Sequence, residues 1–92
     1  FKIGWGPFGR RDVATDEAIV RAAREAIGDD AMLMVDAGAS DAFWPQGYKW
    51  ALRTADMLQE YDVFWFEEAL PPDALEDYVN LRRSAGVNIA GG

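Results

Sequence analysis

The sequence predicts an α/β fold in which a parallel sheet is covered by helices. Short, largely apolar runs alternate with longer segments whose apolar residues recur at helical spacing, a pattern typical of strands buried on both faces. The pattern is also periodic, because Asp36 and Glu67 each end an apolar run and stand 31 residues apart. A period of about 30 residues corresponds to one strand–helix unit of a barrel or of a doubly wound sheet.

The first unit comprises a short strand, a loop and a helix. Phe1–Ile3 is an apolar stretch, and residues 4–12 contain three glycines and a proline, which indicate a loop. We expect a helix to begin near Thr15 or Asp16, because acidic and hydroxyl residues favour the first turn, and to end at Gly28. The apolar positions of this helix are Ile19, Ala22, Ala23, Ala26 and Ile27.

The second unit repeats this order. Met32–Val35 is an apolar run of strand length that ends on Asp36, and Pro45 suits the first turn of a second helix. Val63–Phe66 is the next strand and ends on Glu67. The sequence therefore predicts two consecutive buried strands, each followed directly by a carboxylate.

The third unit completes the chain. We expect Pro71–Asp73 to cap a third helix, with Arg82 and Arg83 near its negative C-terminal end. Val87–Ala90 is the last predicted strand. The predicted order is thus β, α, β, α, β, α, β.

Composition excludes several classes of function. The chain has 92 residues and a mass of 10.2 kDa, with 16 acidic and 9 basic residues, a net charge of -7 and a pI of about 4.3. Such an acidic chain is not expected to bind nucleic acid or anionic membranes. No apolar run approaches the roughly 20 residues of a membrane span. The chain contains no Cys and no His, so it holds neither disulfides nor a Ser-His-Asp triad. We expect a cytoplasmic protein that binds neither nucleic acid nor membrane.

The candidate site consists of carboxylates at predicted strand ends. The C-terminal ends of adjacent parallel strands lie about 4.8 Å apart, so Asp36 and Glu67 are able to converge there. Two carboxylates that close repel each other unless one is protonated or a cation lies between them. Without His or Cys, the cation that fits is Mg²⁺, or alternatively Mn²⁺. We expect Glu68 to point to the opposite side from Glu67, as a salt-bridge partner or a second-layer group. The alternative is that these residues are ordinary solvated turn acids.

Two strand-end motifs carry a resemblance to a known family. Met32–Ala37, followed about thirty residues later by Trp65–Glu68, resembles the enolase superfamily, in particular its mandelate racemase/muconate-lactonizing branch. Two further segments, residues 22–30 and residues 89–92, resemble the same family. The resemblance implies a TIM-like (β/α) barrel, of which residues 1–92 form about half, as a partial C-terminal barrel domain. It also implies that the capping domain and the remaining barrel strands are absent from this segment, and that the segment alone is inactive.

The resemblance further implies an activity and roles for the residues. The family uses magnesium to stabilise the enolate that forms when a base removes the proton alpha to a carboxylate. Asp36 and Glu67 are then metal ligands, and a third ligand, a Glu, is expected directly after Gly92. We expect a small-molecule carboxylate substrate, first of all a sugar acid that is dehydrated, with racemisation, epimerisation or cycloisomerisation as the alternatives. We also expect the parent protein to be a homo-oligomer.

Lys2 is the candidate base. The family often places a Lys pair, KxK, at the strand before the metal Asp, and Lys2-Ile3-Gly4 fits the second Lys of that pair. In the other register Gly4 occupies the position of the base, and the spacing leaves both registers open. The sequence also departs from the family at Gly38, where Asn is usual, and at Ala69, where Pro is usual.

The loop after the first strand allows a second interpretation. Gly4, Gly6 and Gly9 match GxGxxG, the dinucleotide-binding fingerprint of a Rossmann-type module, although the predicted helix begins too late for it. In the enzyme interpretation, Trp5 and Trp44 line the substrate pocket, and Arg10 and Arg11 either meet an anionic substrate or are solvated. A third possibility is a structural segment without metal.

Overall fold

The computed structural model describes residues 1–91 and contains four strands and three helices in strict alternation. Their bounds are β1 Lys2–Gly4, α1 Val13–Ile27, β2 Met34–Asp36, α2 Tyr48–Glu60, β3 Trp65–Glu67, α3 Leu75–Ser84 and β4 Asn88–Ala90. All neighbouring strands pair in parallel, which confirms the predicted α/β class. None of these three helices combines the length and the apolar character needed to cross a bilayer.

The order of the strands distinguishes between the two predicted types of sheet. Within residues 1–91 the sheet runs β1-β2-β3-β4, so each strand pairs with the next one along the chain. This sequential order is that of a (β/α) barrel, whereas a dinucleotide-binding sheet holds its ligand where the strand order reverses. The order therefore contradicts the Rossmann-type interpretation of Gly4, Gly6 and Gly9.

Each helix begins at a different residue from the one predicted. Helix α1 begins before Thr15, because the carboxylate of Asp12 accepts a hydrogen bond from the Thr15 N–H at 2.7 Å and caps the helix. This carboxylate occupies the helix N-terminus, where a dinucleotide-binding unit would hold pyrophosphate. Pro45 does not lie in the first turn of α2, since the chain stays irregular until Tyr48. Helix α3 begins at Leu75 with Ala74 as its N-cap, so Pro71–Asp73 precede the cap and do not form it as predicted.

Trp50 on α2 joins the loop after β1 to the sheet. Its ring makes edge contacts with Phe8 in that loop, at 6.0 Å between centroids, and with Phe66 of β3, at 5.9 Å. Both phenylalanines are fully buried, so the loop is packed as part of the core. The other large hydrophobic side chains that are fully buried are Leu33, Leu58, Leu70, Leu81, Val20 and Val35.

Asp16 is a buried carboxylate on α1 that holds the loop after β1 in place through hydrogen bonds. It accepts hydrogen bonds from the Gly9 N–H at 2.7 Å and from the Trp50 Nε1–H at 3.2 Å. Burial raises the pKa of Asp16 above its ordinary value, although both hydrogen bonds act in the opposite direction. Asp16, predicted only as a helix-start residue, therefore anchors the loop that leads from β1 to α1.

Replacing Asp16 by Ala is expected to lower the free energy of unfolding by about 2 kcal/mol, because two buried N–H donors lose their acceptor. Urea denaturation of the protein measures this change. Asp30→Ala, which removes an exposed carboxylate just after the same helix, is the control and should alter stability by less than about 0.5 kcal/mol. Equal effects of the two substitutions would contradict the anchoring role of Asp16.

Candidate metal centre

Three carboxylates meet at the C-terminal edge of the sheet. The register pairs Asp36, the last residue of β2, with Glu67, the last residue of β3. Asp36, Glu67 and Glu68 each offer an oxygen atom such that all three atoms lie within 4.8 Å of one another. Asp36 is the most deeply buried of them, with 7% of its surface exposed. The structure thus brings together the strand-end acids that the sequence singled out.

Glu68 faces the same cluster, so the expectation that it points to the opposite side from Glu67 is wrong. Alternation of side chains holds only while a strand continues, and β3 ends at Glu67. Glu68 adopts a left-handed backbone with φ 49°, which turns the chain at this point. Backbone hydrogen bonds hold that turn: the Glu68 N–H donates to Ala90 O at 3.1 Å, and its carbonyl accepts from the Ala39 N–H at 2.9 Å.

Lys2 places a positive charge beside the carboxylates. Its Nζ lies 3.1 Å from Glu67 Oε1 and 3.5 Å from Asp36 Oδ2. Hydrogen bonding and charge attraction to Glu67, followed by the charge of Asp36, raise the pKa of Lys2 above its ordinary value. The indole N–H of Trp65 also donates to Glu67 Oε1 at 3.1 Å, a contact that the sequence analysis missed. The cluster therefore already attracts positive charge from a neighbouring strand.

Gly4 ends β1 in a conformation that leaves no space for a side chain. Its φ is 129°, and a Cβ at this position would collide with the carbonyl oxygen of Asp36. Gly4 is paired with Asp36 in the sheet, while Lys2 reaches the cluster from two residues earlier. The sequence leaves two registers open, with either Lys2 or Gly4 at the position of the base. Only the register that places Lys2 there has a side chain at the site.

Gly38 fixes the orientation of Asp36 and makes room for Trp5. The Gly38 N–H donates to Asp36 Oδ1 at 3.0 Å, while the Trp5 N–H donates to the Asp36 carbonyl at 3.0 Å. Gly38 has φ 73°, and a Cβ there would collide with the Trp5 ring. The departure from the usual Asn therefore has a steric reason, because the indole ring fills the adjacent space.

The rings of Trp5 and Trp44, both predicted to line a pocket, contact the guanidinium group of Arg10. The Arg10 Cζ is 5.5 Å from the centroid of Trp5 and 4.9 Å from that of Trp44. Trp5 is 45% exposed, whereas the Trp44 Nε1–H is buried with no acceptor among residues 1–91. Trp44 also packs against Trp50 at 5.1 Å, so it belongs partly to the core. The two loops that follow β1 and β2 thus form one aromatic surface beside the carboxylates.

The donor set fits a hard divalent cation. All three groups are carboxylates, the ligands that Mg²⁺ and Mn²⁺ accept, and the described residues offer no His or Cys for a softer metal. Asp36 and Glu67 are the residues able to hold such an ion, with Glu68 close enough to join them or to orient them. Gly92, and the Glu expected to follow it, lie outside the described residues.

A sequential parallel sheet with carboxylates at its C-terminal edge is the arrangement of a (β/α)-barrel active site. Sequence comparison agrees: the profile of the enolase C-terminal domain-like family matches residues 1–92, and the chain belongs to this family.

Curated and solved relatives include several kinds of enzyme. The chain is 34% identical over 93 residues to D-galactarolactone cycloisomerase from Agrobacterium fabrum, covering 99% of this chain and 21% of that enzyme. It is 36% identical to a racemase from Streptomyces coelicolor A3(2), whose crystal structure contains bound magnesium (TM-score 0.84; 99% of this chain, 23% of the other). L-Talarate dehydratase from Polaromonas sp. JS666, complexed with Mg and L-glucarate, is 29% identical (TM-score 0.84; 100% of this chain, 24% of the other). The chain thus spans about a fifth to a quarter of the relatives it matches.

Proposed function

We propose that this chain belongs to the barrel domain of a magnesium-dependent enzyme that removes the proton alpha to a substrate carboxylate. The observation that carries the proposal is the cluster of Asp36, Glu67 and Glu68 facing the Lys2 ammonium at the C-terminal edge of the sheet. The family membership and the magnesium in the solved relatives support it.

Asp36 and Glu67 hold the ion in this proposal, and Glu68 is the second-layer group, whose carboxylate adds negative charge beside them. When bound, Mg²⁺ stabilises the negative charge that grows on the substrate carboxylate as the proton leaves. Mn²⁺ has the same preference for oxygen ligands and is the alternative ion. The Nζ of Lys2 contacts both metal-binding carboxylates, so it lies at the proposed reaction site. As a neutral amine, after releasing its own proton, Lys2 would take the alpha proton; as an ammonium it would bind the substrate carboxylate. Binding of a divalent ion there offsets the carboxylate charges that Lys2 otherwise faces.

The substrate that we propose is a sugar acid, and the first reaction is its dehydration. Removal of the alpha proton leaves an electron pair that forms the new carbon–carbon double bond and expels the hydroxyl group on the beta carbon. That hydroxyl group takes up a proton as it leaves, so the net loss is the alpha proton and the beta hydroxyl group as one molecule of water. The dehydratase solved with L-glucarate supports this choice, while the cycloisomerase and the racemase among the relatives support the alternatives of ring rearrangement and inversion. Trp5, whose ring is exposed, and Trp44, whose buried indole N–H has no acceptor among residues 1–91, are the aromatic residues that we propose to lie beside the substrate.

The protein that carries this chain is proposed to continue the barrel and to add a capping domain. Strands β1 and β4 are both edges of the described sheet, with unpaired backbone groups. Leu75 and Val79 on α3 are 68% and 48% exposed. They line a groove of about 440 Å³ that also includes Ile89 of β4, and a following strand–helix unit would cover it. The relatives are four to five times as long as the segment matched here, which supports this extension.

An isotope-exchange assay tests the proposed reaction. The full-length protein with Mg²⁺ in deuterated water is expected to exchange the alpha proton of at least one sugar acid, tested with glucarate, galactarate and talarate. Nuclear magnetic resonance follows both the exchange and the product. A keto-deoxy acid indicates dehydration, an epimer indicates inversion, and a rearranged ring from a lactone substrate indicates cycloisomerisation.

Removal of the metal by a chelator is the control, and exchange should stop and return when Mg²⁺ is restored. Exchange that continues at the same rate without a divalent ion would overturn the proposed mechanism. A second probe, mandelate, covers substrates without sugar hydroxyl groups, because one related structure is complexed with magnesium and mandelic acid. Exchange of mandelate alone would retain the mechanism and replace the sugar acid as substrate.

A further inference from the structure

We propose that Arg10 is a positioning residue that sets the orientation of the Asp36 carboxylate and holds Trp5 and Trp44 in place. The inference rests on the proposed function, because it concerns how the metal-binding acid is kept ready. It also replaces the sequence-based interpretation in which Arg10 meets an anionic substrate.

The Arg10 guanidinium links the two loops that follow β1 and β2. Its Nη1 donates to Phe8 O at 2.9 Å and to Ala37 O at 3.1 Å. Its Nη2 donates to Gly38 O at 3.3 Å and to Asp41 Oδ2 at 3.3 Å, and the side chain is only 21% exposed. Both terminal nitrogens are thus used within the protein, and Asp41 supplies the compensating charge. This pattern is that of a structural clamp, not of a free cation for a substrate.

The clamp leads directly to the metal-binding acid. Arg10 holds the carbonyl oxygens of Ala37 and Gly38, the two residues that follow Asp36. The Gly38 N–H, fixed in this way, donates to Asp36 Oδ1 at 3.0 Å. The other oxygen, Oδ2, faces Lys2 at 3.5 Å. Because one carboxylate oxygen is bonded to a fixed backbone N–H, Asp36 presents the other to the cluster, which is how second-layer contacts orient metal ligands.

The planar shape of the guanidinium is used as well as its charge. Its carbon lies 5.5 Å from the Trp5 ring centroid and 4.9 Å from that of Trp44, within the range of cation–π attraction. Trp5 in turn fills the space that a side chain at position 38 would need. A Lys at position 10 would keep the charge but could neither contact both rings with a flat face nor bond several carbonyls in a fork.

Calorimetric titration of the full-length protein with Mg²⁺ tests the inference, using the variants Arg10→Lys and Arg10→Met. Both are expected to bind Mg²⁺ about 10-fold more weakly, the effect typical of losing a second-layer partner. Arg11→Lys and Arg11→Met are matched controls, because Arg11 is the exposed neighbour of Arg10, and they should bind with unchanged affinity. Thermal unfolding of each variant establishes that it is folded at the titration temperature.

The outcomes separate this inference from the proposed function. No Mg²⁺ binding by the unaltered protein overturns both. Normal binding by the unaltered protein, with unchanged affinity in folded Arg10 variants, overturns the inference alone, since a merely structural role would lower the unfolding temperature without affecting the dissociation constant. If Arg10→Met does not fold, Arg10→Lys decides, because it retains the charge and most of the side-chain volume. Wild-type affinity in that variant contradicts the requirement for a guanidinium.

Discussion

Replacing Asp36 by Asn, or Glu67 by Gln, is expected to weaken Mg²⁺ binding by more than about 100-fold, beyond the range for loss of a second-layer contact. Each substitution keeps the shape of the side chain and removes one negative charge from a cluster whose oxygens lie within 4.8 Å of one another. An amide oxygen is a poor substitute for a carboxylate toward a hard divalent ion. Isothermal titration calorimetry of the full-length protein measures the two dissociation constants.

Two exposed acids on α2 provide matched controls for these variants. Asp56→Asn and Glu60→Gln make the same chemical changes on a solvated helix face and should leave the affinity for Mg²⁺ unchanged. Thermal unfolding in the absence of metal should show that all four variants fold. Unchanged affinity in both Asp36→Asn and Glu67→Gln would remove the metal assignment and favour a structural role for these acids.

The pairing of Asp36 with Glu67 could be predicted because it follows from simple periodicity. Each acid directly follows an apolar run, and the runs repeat with the length of one strand–helix unit, so a parallel sheet must bring the acids to one edge. The sequence leaves the strand order open, because the same period also fits a doubly wound sheet. The observed pairing of each strand with its successor distinguishes a barrel from a doubly wound sheet.

Glu68 and Lys2 show where sequence reasoning fails, for two different physical reasons. Strand alternation predicts the wrong side for Glu68 because this residue lies beyond the strand, in a left-handed turn that the sequence does not reveal for a non-glycine residue. Lys2 is 34 residues from Asp36 along the chain, and its approach to the cluster depends on strand register. The resemblance to a family suggested its importance, but the residue pattern alone did not show that it contacts both acids.

The Arg10 clamp was missed because its contacts are mostly with backbone carbonyl groups. Three of its four bonded acceptors are main-chain oxygens, which carry no signal in the sequence. The sequence indicates Trp5 and Trp44 as pocket residues, but their common contact with Arg10 depends on how two loops fold over the sheet. Gly38 was the available clue, since a glycine at a position usually held by Asn indicates that some other group occupies the space.

Replacing Lys2 by Ala is expected to lower the rate of alpha-proton exchange by about 10²–10⁴-fold, the usual contribution of a positioned general base or acid. The Lys2 Nζ is the amine that lies beside Asp36 and Glu67, and Gly4 cannot take its place because that position has no room for a side chain. Exchange into deuterated water, measured at saturating Mg²⁺ and substrate, isolates this step. Lys49→Ala, which removes an exposed lysine from α2, should leave the rate unchanged.

The affinity of Lys2→Ala for Mg²⁺ shows whether the substitution removes a chemical role or disrupts the structure of the whole site. Lys2 competes with a divalent ion for the charges of Asp36 and Glu67, so its removal should leave Mg²⁺ binding equal or tighter. Slow exchange together with retained binding indicates a base or a contact to the substrate carboxylate. The Michaelis constant distinguishes these two, because loss of a substrate contact raises it while loss of a base lowers mainly the turnover rate. Near-normal exchange in Lys2→Ala would show that a different residue takes the proton.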